Sequence, residues 1–248
     1  MKRLLAATFP IFGLLLLIAP PAQAEPLVAD LSESVVRITT GFTGTKVLLF
    51  GAKEGDGRVV VIVEGPRHPL TVRRKSRVAG IWVNRAEVRF NDVPSFYHVL
   101  SSEPLEQWLP LRTRDLYQIG VEYLKLEPDE DVGPARASRF REALIRNMQR
   151  IGRYGVLEGK VTVLGGQLFR ADLYLPANLP TGFYSIEVML VKDGDVKTIQ
   201  STPLLVTKAG IGAEVYDMAY SYPAIYGILA IVIAVLAGLG ANAIFRKV

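Results

Sequence analysis

The stretch KVLLFGAKEGDGRVVVIV, residues 46–63, determines the fold class that we predict for this chain. It contains two apolar runs, residues 46–52 and 58–63, and the second consists almost entirely of β-branched residues, which favour strands. The segment EGDG between the runs is typical of a tight turn, so the stretch predicts a β-hairpin. Because the apolar residues are continuous rather than alternating, we expect both strands to be covered on both faces, or nearly so.

Strand patterns continue on both sides of this stretch. They occupy residues 35–40, 69–74, 80–83, 86–90, 96–100, 156–164, 168–175, 183–191 and 196–206. A Pro-x-Gly-x-Tyr segment at 180–184 precedes an alternating strand, which is common in immunoglobulin-like modules. We therefore predict a mainly β ectodomain of the immunoglobulin-like β-sandwich type, with an N-terminal β region at 25–111 and a C-terminal β region at 154–210. The patterns leave open whether these regions form one sandwich or two, and two is the preferred interpretation.

A helical insertion is predicted between the two β regions, at residues 112–153. A first helix is expected over residues 115–126, where apolar residues recur on one side. A second helix is expected to begin at Pro134, because proline suits the first helical turn. Its apolar stripe consists of Phe140, Leu144, Met148 and Ile151.

The opposite side of the second helix is basic. At 100° per residue, four arginines fall within about 60° of one another: Arg139, Arg146, Arg150 and Arg153. Such a face could contact anionic lipid headgroups or an acidic partner surface. A solvated helix face is the alternative interpretation.

An apolar segment near the C-terminus, residues 224–245, carries no charged side chain. Twenty-two residues at about 1.5 Å each span about 33 Å, enough to cross a hydrocarbon core of about 30 Å. Arg246 and Lys247 follow it, so the positive-inside tendency predicts a cytoplasmic tail at 246–248. The preceding residues 211–223 are then a juxtamembrane linker.

Small residues recur every four positions within this predicted transmembrane helix. Ala230, Ala234 and Gly238 would let a second helix approach closely, and the amide of Asn242 could hydrogen-bond across the contact. These four residues are candidate packing residues for a membrane partner. Alanine and glycine are also common in simple membrane anchors, which is the alternative interpretation.

The N-terminus has the pattern of a secretory signal peptide. Lys2 and Arg3 precede an apolar run at 4–18, and Ala-Gln-Ala at 22–24 is a small-x-small cleavage site. We therefore predict a signal peptide at 1–24. The mature N-terminus would then lie in the periplasm, and the chain would be a single-pass protein of the inner membrane.

Charge and cysteine content restrict the function of the predicted ectodomain. Four of the 29 Lys and Arg residues lie in the signal peptide and the tail, which leaves 25 basic residues against 24 acidic ones between them. A nucleic-acid-binding protein keeps its basic excess in the folded part, so we do not expect nucleic acid as a partner. The chain has no cysteine, so no disulfide stabilises the ectodomain.

The sequence shows no motif of an enzyme. His68 and His98 are the two histidines, and they lack metal-ligand spacing. Ser95 and Ser101 lie near His98, so a serine nucleophile with His98 as its base is conceivable. However, no nucleophile-elbow motif is present to hold the serine. A second basic cluster at Arg67, Arg73, Arg74, Lys75 and Arg77 is consistent with charges that protect an edge strand. We expect no catalytic residues, no cofactor and no metal site.

Three further segments resemble a known family. They are ITTGFTGTKVLLFGA at 38–52, VAGIWVNR at 78–85 and VPSFY at 93–97. Together with the two terminal apolar segments, they are similar to the transmembrane protein family of the Alphaproteobacteria. The resemblance covers nearly the whole mature chain and implies an envelope protein. Members are often encoded beside a sulfite-exporter-like membrane protein, so the resemblance implies a transport accessory with such a transporter as partner.

Three functions follow as hypotheses. The first is a non-enzymatic accessory or scaffold subunit of a membrane system, in which transport is the implied activity. The second is an extracytoplasmic module that binds a small ligand or an envelope polymer. The third is a periplasmic hydrolase, which the missing catalytic motifs disfavour.

Overall fold

The structure is a computed structural model that describes residues 27–245. Its strands are β1 (Leu27–Leu31), β2 (Val35–Ile38), β3 (Gly44–Lys53), β4 (Arg58–Glu64), β5 (Arg67–Val78), β6 (Ile81–Pro94), β7 (Tyr97–Ser101), β8 (Gly159–Leu164), β9 (Leu168–Pro176), β10 (Gly182–Lys192) and β11 (Asp195–Lys208). Its helices are α1 (Leu111–Leu116), α2 (Pro134–Arg150), α3 (Ile211–Ser221) and α4 (Pro223–Phe245), with short 3-10 turns at Leu105–Gln107 and Val121–Tyr123. The predicted signal peptide at 1–24 and tail at 246–248 lie outside the described residues.

Nine strands form one curled sheet in the order β1-β3-β9-β8-β7-β4-β10-β11-β2. Most neighbours are antiparallel, whereas β7–β8 and β11–β2 are parallel. The curl brings β1 against β11, where the side-chain amide of Gln200 exchanges two hydrogen bonds with the backbone of Ala29, of 2.7 and 3.0 Å. A first hydrophobic core fills the inside of the curl with side chains from β1 to β4 and from β7 to β11.

The outer face of β4, β7 and β10 carries a second hydrophobic core. The base of the β5–β6 hairpin and the helical segment between β7 and β8 cover this face. On β4, Val59, Val61 and Val63 point to the first core, while Val60 and Ile62 point to the second. The expectation of a strand covered on both faces is therefore confirmed for β4. It is wrong for β3, in which Phe50 is exposed on the outer face.

The predicted hairpin at residues 46–63 is wrong, although both strands exist. β3 pairs with β1 and β9, and β4 pairs with β7 and β10. The segment 54–57 therefore carries the chain from one side of the curl to the other. The reason is that a strand as apolar as β4 needs cover on both faces, which its position between β7 and β10 provides.

The preference for two separate sandwiches is also wrong. Strands from 25–111 and from 154–210 alternate in the single sheet and share the first core. The chain is mainly β with one large curled sheet, and the immunoglobulin-like arrangement stays a prediction.

The helical segment differs from expectation at its start. The first helix is Leu111–Leu116 rather than 115–126, because Gln118 at φ 52° and Gly120 at φ 114° turn the chain out of helical geometry. The second helix begins at Pro134 as predicted, and it buries Phe140, Leu144 and Met148 in the second core.

The C-terminal part is helical up to the limit of the described residues. The segment expected as a linker at 211–223 contains α3. The next helix, α4, contains one stretch, Pro223–Asn242, that is long and apolar enough to cross a membrane, with a mean hydropathy of 2.5. None of that stretch is buried against the rest of the protein.

Candidate functional site

The small residues of α4 lie on a bare helix surface. Ala230, Ala234, Gly238 and Asn242 are all exposed. A Cβ atom placed on Gly238 would meet nothing within 4 Å, so this side of the helix has no packing partner within the described part of the chain. The surface is free to receive another helix.

The basic face of α2 is smaller than predicted. Arg139, Arg146 and Arg150 are exposed on the helix. Arg153 lies beyond the helix end, because Gly152 at φ 74° reverses the chain. Its guanidinium is partly buried and donates to the carbonyl of Asn178 at 3.0 Å. Arg153 therefore ties two loops together and does not belong to the exposed face.

The second basic cluster lies on β5, which pairs with β6 alone in a two-stranded hairpin. Arg67, at the base, forms ion pairs with Glu64 and Asp92. Arg73 pairs with Glu87 on the neighbouring strand. Beyond these pairs the hairpin carries exposed basic side chains on its outer half.

The serine–histidine combination near β7 is not assembled. His98 stacks on Phe96 with ring centroids 4.7 Å apart, on the side of the first core. Successive strand residues point to opposite faces, so Ser101 faces away from His98. Within the described residues, His98 Nε2, Ser95 Oγ and Ser101 Oγ are all buried without a hydrogen-bond partner, and so neither serine bonds to the imidazole. Burial also lowers the pKa of His98, which favours the neutral ring.

A cavity of about 970 Å³ opens between the sheet and the helical segment. Its walls come from β7, the 3-10 turn at Val121–Tyr123 and the segments 102–106 and 155–160. Two buried polar side chains line it, Ser101 at 4% exposure and Arg114 at 9%. No pattern in the sequence distinguishes Arg114 from the many other arginines of the chain.

The guanidinium of Arg114 has no counter-ion in the part of the chain that the structure describes. Within residues 27–245 it takes part in no hydrogen bond and no ion pair, and its Nε is fully buried without a partner. An unpaired buried charge is costly, because the protein interior replaces little of its hydration. An anionic group in the cavity would relieve that cost, since the planar fork of arginine matches carboxylate and phosphate oxygens.

The rim of the cavity is mainly acidic, although the exposed Lys160 also lines it. Glu106, Glu122 and Glu158 line it with exposed side chains. Glu158 also accepts a hydrogen bond from the backbone N–H of Leu105 at 3.0 Å. The cavity thus combines a buried cation with exposed carboxylates. Among the residues that the structure describes, no group of three metal-ligating side chains comes together.

Comparisons with curated proteins and with solved structures found no match. A family model does match, over residues 26–247, which covers the described fold from β1 to α4. The resemblance seen in the sequence is therefore confirmed. The chain belongs to the family described as "Putative transmembrane protein (Alph_Pro_TM)".

Proposed function

We propose that this chain is a non-enzymatic accessory or scaffold subunit of a membrane system. In this proposal α4 holds the protein in the inner membrane, the β-rich ectodomain lies in the periplasm and the C-terminus lies in the cytoplasm. The observation that carries the proposal is the bare surface of α4 at Ala230, Ala234, Gly238 and Asn242. A simple anchor needs length and hydrophobicity, whereas a small-residue surface with one amide suits contact with a second helix.

The partner that we propose is a transport protein of the sulfite-exporter type. This follows from the family resemblance, and the partner's own transmembrane helix would occupy the bare surface. Close contact there would be stabilised by van der Waals packing between backbones, because lipid provides no hydrophobic driving force between helices.

Leucine at two positions tests this contact. The double variant Ala234→Leu, Gly238→Leu should lower recovery of the partner from gently solubilised membranes about fivefold, which corresponds to about 1 kcal/mol. The added side chains would hold the partner backbone away from the surface of α4. The measurement is co-purification of the transporter with the tagged full chain, at equal amounts of inserted protein.

The matched control is Ile231→Leu, Val235→Leu, which lies on the same helix and changes residues that are already large. It should leave co-purification unchanged. Equal recovery with both double variants would show that α4 is an anchor and would contradict the proposed contact.

A second candidate function is the binding of a small anionic ligand, and the unpaired Arg114 favours it. The cavity is large enough for a metabolite-sized molecule, since ligand sites usually have volumes of about 300–1,000 Å³. A carboxylate or phosphate group would pair with Arg114, and Ser101 Oγ would donate a further hydrogen bond. The exposed glutamates at the rim favour ligands that also carry a cationic group.

Substitution of Arg114 distinguishes a binding role from a structural one. Arg114→Met should raise the free energy of unfolding of the ligand-free full chain by about 1 kcal/mol, because it removes an unpaired buried charge. Thermal unfolding with acetate, glycine and inorganic phosphate should show stabilisation of the wild type by at least one of these compounds. The variant should lose that stabilisation.

Arg112→Met is the matched control, because Arg112 is exposed on the same helix α1. It should change neither stability nor the response to the anions. A destabilised Arg114→Met variant, or a wild type that responds to none of the three compounds, would count against a binding role.

A further inference from the structure

The outer half of the β5–β6 hairpin projects from the protein. Its base is anchored in the second core by Val72, Val88 and Phe90, which are at most 8% exposed. Beyond them, residues 73–85 are exposed on both faces, apart from the partly buried Ser76. A hairpin lying on a protein surface buries alternate side chains, so exposure of both faces means that this half extends away from the fold. Six residues of strand at about 3.4 Å each give it a reach of about 20 Å.

The tip of this hairpin is apolar. Four large side chains are strongly exposed there: Val78 at 44%, Ile81 at 69%, Trp82 at 66% and Val83 at 39%. The two-residue turn consists of Ala79 at φ 48° and Gly80 at φ 87°, as in a tight type I′ turn. Asparagine or aspartate usually occupies the first of these positions, because a polar side chain tolerates the left-handed region. Alanine is less favourable there, and it leaves the tip without any polar side chain.

Behind the apolar tip lies a basic collar. The collar consists of Arg73, Arg74, Lys75, Arg77 and Arg85, and residues 73–85 include no acidic residue. Glu87 neutralises Arg73. The chain between the terminal apolar segments is nearly balanced in charge only when the collar is included, with 25 basic against 24 acidic residues. The positive charge is therefore concentrated next to the exposed tryptophan.

We propose that the tip of the β5–β6 hairpin inserts into the headgroup region of an anionic bilayer, as a second membrane contact in addition to α4. Tryptophan and aliphatic side chains bury favourably at this depth, and the collar would pair with anionic headgroups. The membrane is within reach, because only residues 209–222 separate β11 from α4. Eleven of these 14 residues form α3, which rises about 16 Å, and the other three span at most about 10 Å, so the end of β11 lies within about 27 Å of the start of α4. A lipid surface fits a tip of this kind because it matches apolar and basic groups without requiring a shaped partner.

The fluorescence of Trp82 tests the proposal. The chain has two tryptophans, so Trp108→Phe leaves Trp82 as the single emitter. The full chain would be reconstituted into vesicles of brominated phosphatidylcholine, with and without phosphatidylglycerol. We expect a blue-shifted emission that the brominated chains quench by at least half when phosphatidylglycerol is present, and clearly weaker quenching without it.

Two triple variants with equal change in charge separate the collar from the rest of the protein. Arg74→Gln, Lys75→Gln, Arg77→Gln should lose the effect of phosphatidylglycerol. Arg139→Gln, Arg146→Gln, Arg150→Gln, on the exposed face of α2, should keep it. Circular dichroism would verify that both variants retain the strand content of the parent.

Three results would overturn the proposal. The first is an emission that stays red-shifted and unquenched in both vesicle types. The second is a blue shift without quenching, which would place the tip against protein. The third is loss of quenching in the α2 variant rather than in the collar variant, which would assign the lipid contact to α2.

Discussion

Gly51→Ala is expected to lower the free energy of unfolding by about 3 kcal/mol, at the upper end of what overpacking usually costs. Gly51 lies in β3, directly opposite Ala29 of β1 and Phe169 of β9. A Cβ atom there would lie 2.2 Å from the carbonyl oxygen of Val28 and 2.5 Å from Cζ of Phe169. The first of these atoms belongs to the backbone and cannot rotate away, so β1 itself would have to move. Urea unfolding of the full chain in detergent measures the change.

Gly41→Ala is the control for this substitution. A Cβ at Gly41 would meet nothing within 4 Å, and no left-handed backbone angle is found there. Its effect should lie close to zero, or be slightly stabilising because alanine restricts the unfolded chain. If both variants lost the same stability, close packing of β1 against β3 could not be the cause.

Tyr97→Phe is expected to lower the free energy of unfolding by about 2 kcal/mol through the loss of one oxygen atom. The buried hydroxyl of Tyr97 donates to the carbonyl of Gln118 and accepts from the N–H of Gly120 at 3.0 Å. Burial raises the pKa of the phenol, so the group stays protonated and keeps its donor. Phenylalanine would leave two backbone groups without their partner, which typically costs about 1–3 kcal/mol for a buried group. These hydrogen bonds attach the segment after α1 to the sheet, next to the cavity.

Substitution of two other tyrosines by phenylalanine provides a comparison for the loss of stability expected in Tyr97→Phe. The buried hydroxyl of Tyr154 makes one hydrogen bond, to the carbonyl of Pro94 at 2.8 Å, so Tyr154→Phe should cost less than Tyr97→Phe. Tyr174 is 56% exposed, and Tyr174→Phe should be nearly neutral. Denaturant unfolding of the three variants should rank them in that order, and a Tyr97→Phe variant as stable as Tyr174→Phe would contradict the assigned role.

Local patterns in the sequence predicted those strands and helices whose formation depends mainly on residues that are close together in the chain. The β-branched run at 58–63 became β4, because such side chains favour extended backbone wherever the strand pairs. Pro134 placed the start of α2 correctly, and Phe140, Leu144 and Met148 of the predicted stripe are buried. Ile151, the fourth residue of the stripe, follows the helix end and is 40% exposed. The apolar segment 224–245 corresponds to α4 within one residue, since length and hydropathy alone define a helix that can span a membrane.

The tertiary structure decided everything that depends on distant parts of the chain. A turn-like segment after an apolar run suggests a hairpin, but the partners of β4 lie about 40 and 130 residues away in β7 and β10. The partner strands of β4 are determined by the burial of both of its faces. The residues next to β4 in the sequence do not reveal which strands provide that cover. The cavity arises in the same way, since α1 carries Arg114 to a cavity that the distant segment 155–160 also lines. Similarly, only the exposure of both faces of the β5–β6 hairpin shows that its basic and apolar residues project together from the fold. Sequence thus determined the elements and the candidate membrane helix of this chain, whereas long-range burial determined the sheet order, the unpaired arginine and the projecting hairpin.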